Sequence, residues 1–360
     1  MFKTKAIAVL VMGGLVAGLA GCGSGSGEGG NASAGDGDKP LIGFSVRFIA
    51  GNAWLSTLAN GAAREGEKRG YRVETVDAQG NAARQIQQMQ TFVNKGARAI
   101  IIEPVEDRGV AGGIAAARRL KVPVVVVNDR VAPDLATQVA CNVFDNGGAT
   151  AEKVGEATAA VAAKRFADKD SIKLYIQAIF PQELVTQTRE NGFMKGWNRY
   201  FQAHPGPRTV RVPNNYGKAL PDATLTAMRN VLAAHPDIDV IFNQTDVVMG
   251  AVKQALTSAG RMTKDGKSDV VIAGFDGGTD VIRGMAEDPD SPIVADGLNQ
   301  PPTQAAYAVE EAIAASQGKK TGKCNGTPPN RVLAPVVVTP RTAKDFVDPS
   351  VAFAGAKAGD

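Results

Sequence analysis

The chain has 360 residues, enough for two domains at about 100–200 residues each. Its 44% hydrophobic and 21% charged content is that of a globular protein, and 40 Lys and Arg against 36 Asp and Glu leave only +4, which supplies no basic face for nucleic acid. Three Cys and two His cannot assemble a C-x-x-C zinc cluster, so metal-dependent and His-driven chemistry is disfavoured and neither a metal nor a cofactor is expected.

Residues 1–22 read MFKTKAIAVLVMGGLVAGLAGC. Lys3 and Lys5 give a positive start, and 6–20 is an apolar run too short to span a bilayer comfortably. The ending Leu19-Ala20-Gly21-Cys22 resembles the lipobox of bacterial lipoproteins, which implies acylation of the Cys22 thiol. The alternative is an ordinary secreted protein in which Cys22 is incidental. Residues 23–39 are Gly-, Ser- and Asp-rich, hold nothing that could anchor a core, and read as a flexible tether. No other stretch is long and apolar enough to cross a membrane, so a soluble body outside the cytoplasm, held by its lipid, is expected. Two motif matches carry no function. Gly25-x-Gly27-x-x-Gly30 follows no strand, and Gly260 to Gly266-Lys267-Ser268 has five residues between glycines where a phosphate loop needs four.

From Leu41 strand and helix alternate. Strands are predicted at 41–48, 71–77, 97–104 and 122–129, with helices at 53–69, 82–95 and 109–121 between them. Strand starts 25 to 30 residues apart have the length of a βαβ unit. Runs such as AIII and VVVV indicate strands buried on both faces of a parallel sheet. An extended piece at 138–146 precedes a second series: helix 149–166, strand 172–178, helix 183–203, strand 209–214, helix 222–234, strand 239–245, helix 247–259 and strand 269–276. Helix 279–287, strand 292–299, helix 302–317 and a final strand 331–338 complete it. The fold class is therefore α/β, with two doubly wound parallel-sheet lobes. Ligands of such sheets bind outside the carboxyl ends of the strands. That directs attention to Arg47-Phe48, Asn128-Asp129-Arg130, Gln244-Thr245-Asp246, Phe275-Asp276 and Leu298-Asn299-Gln300.

The stretches GNAWLSTLANGAAREGEKRGY, VPVVVVNDR, TQTRENGFMKG, AAHPDIDVIFNQTDVVMGAVKQAL and IAGFDG, in this order and spacing, resemble the ribose-type periplasmic sugar-binding proteins, soluble receptors of bacterial ABC importers. The resemblance covers residues 41 to about 340. It implies the type I periplasmic binding fold, two lobes joined by a three-strand hinge. It implies closure of those lobes over a monosaccharide or polyol, and recognition of the closed form by permease subunits. It also carries binding roles onto Asp129, Arg130, Arg189, Asp276 and the aromatic Trp54. The family pattern departs at Ala53, at Gly51-Asn52, at Thr245 and at Asn299, where Gln300 could serve instead, so the identity of the sugar stays open. Phe48, Asn52 and Tyr216 complete the expected ligand set, with Arg130 and Arg189 neutralising Asp129 and Asp276. Trp197, His204 and His235 read as structural, and Glu103-Pro104 and Glu106-Asp107 as loop and helix-start residues.

Crossovers are expected near 141–142, 299–300 and 333–335. They divide the body into a first lobe of 41–141 plus 300–333 and a second of 142–299 plus 334–350. The resulting expectation is a monomeric, non-enzymatic solute receptor. Its rivals are a receptor that signals to a sensor kinase or chemoreceptor and an enzyme acting on a sugar. With Cys22 acylated, Cys141 and Cys324 are the two remaining cysteines in an oxidising compartment. Both fall near crossovers that run side by side, which predicts a disulfide; two free thiols are the alternative.

Overall fold

The computed structural model describes residues 39–355 apart from 182 and 349; the expected signal segment, the expected acylation at Cys22 and the expected tether as far as residue 38 lie outside the described residues. Strand β1 (Leu41–Val46) leads to α1 (Ala53–Lys68), β2 (Arg72–Asp77), α2 (Ala82–Asn94), β3 (Ala99–Ile102), α3 (Ala111–Arg119), β4 (Val124–Val127), the single turn α4 (Pro133–Ala136) and β5 (Cys141–Asp145). Then come α5 (Gly147–Arg165), β6 (Ser171–Ala178), α6 (Leu184–Ala203), β7 (Arg208–Arg211), the short β8 (Asn215–Tyr216), α7 (Pro221–Ala234) and β9 (Val240–Asn243). A 3₁₀ turn (Asp246–Val248), α8 (Met249–Ser258), β10 (Val271–Asp276), α9 (Thr279–Glu287), β11 (Ile293–Leu298), α10 (Pro301–Ser316), β12 (Asn330–Leu333) and β13 (Val337–Val338) follow. Local chemistry sets the starts of these helices. The side chains of Asn52, Asn81 and Asn146 accept from the third following backbone N–H, and Pro opens α7 and α10.

The first sheet runs β12-β5-β4-β3-β1-β2 and is parallel throughout. Helices α1 and α10 cover one face, with Leu58, Ala62, Ala308 and Val309 against Ile42, Phe44 and Ile101. Helices α2 and α3 cover the other, with Met89, Phe92 and Ile114 against Ile100 and Val126. The second sheet runs β13-β11-β10-β9-β6-β7, with β8 also on β6; it is parallel except for β13, which is antiparallel to β11. Helices α5 and α6 close one face and α7, α8 and α9 the other. The α5–α6 crossing needs glycine: a Cβ at Gly196 would overlap the Glu152 carbonyl oxygen. In each sheet the strand order reverses once, between β1 and β3 and between β6 and β9. The carboxyl ends at those points form the crevice typical of ligand sites in doubly wound sheets.

Two sequence expectations need correction. β5 pairs with both β4 and β12, so 142–145 belongs to the first lobe and the crossover follows at Asn146, not at 141–142. Asn142 is buried within this strand, its amide satisfied by the Ala136 and Pro329 carbonyls. The single strand 331–338 is two strands in different sheets. Asn330–Leu333 extends the first sheet and Val337–Val338 the second, with Pro335, which has no N–H to donate, between them. The other passage lies at Asn299–Gln300, between β11 and α10. Past β13 the second lobe's core takes in Ala343 and Ala354, while Phe353 packs into the core of the first lobe.

Candidate functional site

Both lobes line a cavity of about 140 Å³, which opens into an outer groove of about 600 Å³ walled by Arg47, Asp129, Arg130 and Glu183. On the first lobe, Arg47 follows β1, Glu103 follows β3, and Asp129 follows β4. Arg47 Nε lies 3.3 Å from Glu103 Oε1 and donates to the Pro104 carbonyl at 3.1 Å, while its Nη2 is ion-paired with Asp129 Oδ2. The Arg47 backbone N–H donates to Glu103 Oε2 at 3.2 Å, and Asn128 Nδ2 to Oε1 at 3.2 Å. Burial pushes the Glu103 carboxyl up to about 7, against the opposing pull of Arg47. The Arg47 guanidinium loses hydration, yet Glu103, Asp129 and Glu183 together hold it firmly protonated.

On the second lobe the centre is Asp276, at the end of β10. Arg189 Nη2 of α6 lies 2.9 Å from its Oδ1, and Thr245 Oγ1, following β9, donates to its Oδ2 at 2.6 Å. Arg189 also donates to the Gln244 carbonyl at 2.5 Å and lies 4.1 Å over the Phe275 ring. Asn299 joins this group: with its amide oxygen toward Arg189 Nη2 at 3.0 Å, its nitrogen reaches Asp145 Oδ1 at 3.1 Å. Asp145 comes from β5 of the first lobe, so its contact with Asn299 crosses the cleft. Burial pushes its carboxyl up to about 7, Arg189 pulling the other way, and raises Asp276 as well.

Nine of the ten expected ligand residues (Phe48, Asn52, Trp54, Asp129, Arg130, Arg189, Thr245, Asp276 and Asn299) line this cavity. Their pairing differs from the expectation in one respect. Asp129 pairs with Arg47, while Arg130 lies 4.4 Å over the Phe144 ring and gives only its backbone N–H to Asp129. Asn52 spends its side-chain oxygen on the Leu55 N–H. Tyr216 is the exception: on β8 it is 39% exposed and outside the cavity lining, because the short β8 ladder turns it toward solvent. Sequence reasoning missed Glu103, Asp145, Glu183 and Phe144, and left Arg47 unassigned although its strand-end position marked it. Glu103 was read as a loop residue, yet it is 1% exposed.

Two lining atoms are buried with no partner, the Trp54 indole Nε1 donor and the Asp145 Oδ2 acceptor. Buried polar atoms are nearly always satisfied, so these offer hydrogen bonds to a guest. Paired carboxylates and guanidinium groups bind vicinal hydroxyls as donor and acceptor at once, and Trp54 and Phe48 supply apolar faces. Trp197 is fully buried on α6, its Nε1 donating to Thr209, and His204 and His235 cap α6 and α7. Cys141 and Cys324 are joined by a disulfide, Cα–Cα 5.9 Å; both lie on the first-lobe side, so the bond fastens the loop before β12 to β5 without linking the lobes.

Residues 42–320 match the model of the periplasmic binding protein domain family. The ribose import binding protein of Salmonella typhimurium is 26% identical over 274 residues, covering 75% of this chain and 82% of that protein. The ribose import binding protein of Bacillus subtilis is 28% identical over 289 residues, covering 80% and 85%. Among solved structures, an ABC transporter solute-binding protein from Mycobacterium smegmatis with bound glycerol superposes with a TM-score of 0.72 at 24% identity, covering 88% of this chain and all of that one. One from Actinobacillus succinogenes with bound D-allose gives 0.73 at 18% identity, covering 86% and 100%. With its two parallel-dominated sheets and the cleft between them, the chain belongs to the periplasmic binding protein domain family.

Proposed function

We propose that the protein is a lipid-anchored extracytoplasmic solute receptor that binds a monosaccharide or related polyol between its lobes and delivers it to the transmembrane subunits of an ABC importer. The observation that carries this reading is the cavity itself. Ion-paired Arg47, Glu103 and Asp129 form one wall and Arg189, Asp276 and Thr245 the other, with an unpartnered donor on Trp54 and acceptor on Asp145. At about 140 Å³ the cavity is smaller than the roughly 300–1,000 Å³ of drug-sized sites, which favours a single small ring or a short polyol. The ligand closes the lobes because only the closed form offers it both walls, and that differential affinity is what shifts the equilibrium. The relatives' ribose import role supports the importer assignment, and the cleft completed within one chain supports a monomer.

A thermal-shift screen of residues 40–360 against D-ribose, L-arabinose, D-allose, myo-inositol and glycerol tests the ligand class. Specific binding raises the unfolding midpoint by mass action. A folded protein whose midpoint none of these or related sugars moves refutes the proposal. The anchor is tested separately by mass spectrometry: a diacylglyceryl mass on Cys22 of membrane-extracted protein is expected, and an unacylated chain starting elsewhere refutes it.

A further inference from the structure

Beneath the ligand site lies a second pair of acidic side chains that the binding reading does not use. Asp246 opens the 3₁₀ turn after β9 and Asp296 lies within β11; they are 8% and 0% exposed. Each spends one carboxyl oxygen on the backbone turn that follows Asp276. The Gly278 N–H donates to Asp246 Oδ2 at 2.8 Å and the Gly277 N–H to Asp296 Oδ1 at 3.2 Å. The two remaining oxygens, Asp246 Oδ1 and Asp296 Oδ2, are buried and have no donor. They flank one point: a Cβ added at Gly274 would sit 2.7 Å from the first and 2.5 Å from the second. Two anions cannot face each other there without a cation or a proton, and the charged group acting on both is Asp276, itself negative. Arg189 stands behind Asp276, paired with it; α5 brings the uncharged Thr150 against Gly297; the C-terminal stretch at 351–354 brings main-chain groups to 277–279.

The turn these carboxyls hold is a strained one. Asp276 has φ +109, which L residues rarely adopt, and Gly277 follows at φ +79. A non-glycine residue persists there only where its surroundings over-determine it. The N–H groups of the next two residues are the handles, and the buried pair grips both.

We propose that Asp246 and Asp296 share a single proton and act as positioning residues, gripping the Gly277–Gly278 backbone so that Asp276 is aimed into the cleft, and that loss of this proton in alkaline solution frees the turn and weakens ligand binding. The proton lies between Asp296 Oδ2 and Asp246 Oδ1, giving each orphan oxygen a partner. Burial raises both carboxyls, Asp246 to about 7 and Asp296 well above the usual carboxylate range; the nearness of Asp246 adds to the rise of Asp296, while the hydrogen bond from Asp296 pulls Asp246 the other way. The effect on binding rests on the reading of Asp276 as a ligand contact; the shared proton does not.

The test uses the full chain as wild type, Asp296→Asn and Asp246→Asn. Either amide supplies a permanent N–H where the proton would be, so it mimics the protonated pair at every pH. Hydrogen exchange of the Gly277 and Gly278 amides, without ligand, is compared at pH 6 and pH 9. Equal protection of wild type and Asp296→Asn is expected at pH 6, and at least tenfold faster exchange of the wild type at pH 9. Equal protection at pH 9 overturns the alkaline release of the turn. Should one variant fail to fold, the other makes the same comparison, and a wild type with no protonated-carboxyl infrared band at pH 8 overturns the proposal without any variant. Calorimetry with D-ribose then reads the function: between pH 6 and pH 9 the wild type should lose at least tenfold more affinity than Asp296→Asn. Matching pH profiles overturn the positioning role, whereas no D-ribose binding by any form, with the exchange difference intact, counts against the ligand class and leaves the shared proton standing.

Discussion

Replacing Glu103 with Gln should change how the stability of the protein depends on pH. The carboxyl is 1% exposed and has a pKa raised from 4.5 to about 7, with burial the leading cause. Between those values the folded protein holds up to one proton more than the unfolded chain, so its stability falls as pH rises. The loss begins near pH 4.5 and is complete once pH passes about 7. At 1.36 kcal/mol per unit, the 2.5-unit rise corresponds to about 3 kcal/mol. Gln keeps the shape and, with its oxygen in the place of Oε1, an acceptor for Asn128 Nδ2, but cannot titrate, so the variant should lack this component. Urea unfolding of the ligand-free body at pH 5 and pH 7.5 measures it. The wild type should lose about 2 kcal/mol more than Glu103→Gln between the two values, because part of the loss has already occurred by pH 5. Other titrating groups contribute equally to both proteins and cancel. Parallel curves would refute the reasoning, because they would mean that Glu103 is ionised in the fold throughout this range and that Arg47 outweighs its burial.

Arg189→Ala leaves Asp276 without its guanidinium partner, and Asp129→Ala removes one of the carboxylates that hold Arg47. At about 3–5 kcal/mol for breaking a buried pair, Arg189→Ala should weaken sugar binding at least hundredfold in calorimetry, and Asp129→Ala, at a partly exposed carboxylate, should weaken it at least tenfold; affinities equal to wild type in both would place the ligand elsewhere. Ligand should change the tryptophan fluorescence of the wild type, and Trp54→Phe should remove most of that change, since Trp197 is buried and already hydrogen-bonded; a change that survives refutes the role of Trp54. Replacing Cys141 and Cys324 together by Ala opens a loop of 183 residues, worth about 5 kcal/mol in the chain-entropy model, and should lower the unfolding midpoint while leaving sugar affinity unchanged, because neither residue lines the cavity. Equal midpoints for the oxidised wild type and the double variant would refute the cross-link.

The alternation of strand and helix was legible because burial is written locally. A run such as Val124–Val127 is apolar at every position since a central parallel strand is covered on both faces, and no distant residue is needed to read it. The same periodicity marks where strands end, which is why Asp129, Thr245, Asp276 and Asn299 could be picked as cleft residues from the linear chain. Charge pairing is not local. Whether Asp129 neutralises Arg130 beside it or Arg47, 82 residues earlier, depends on β4 and β1 both flanking β3 in the sheet, and no sequence period encodes strand order. Glu103 looks like a loop residue for the same reason, since only the packed neighbours β1 and β4 bring Arg47 and Asn128 onto it. The direction of Tyr216, the two sheets shared by 330–338 and the meeting of Asp246 with Asp296 also had to wait for the fold. Each is settled by which surfaces enclose a residue, and only the tertiary structure brings those surfaces together.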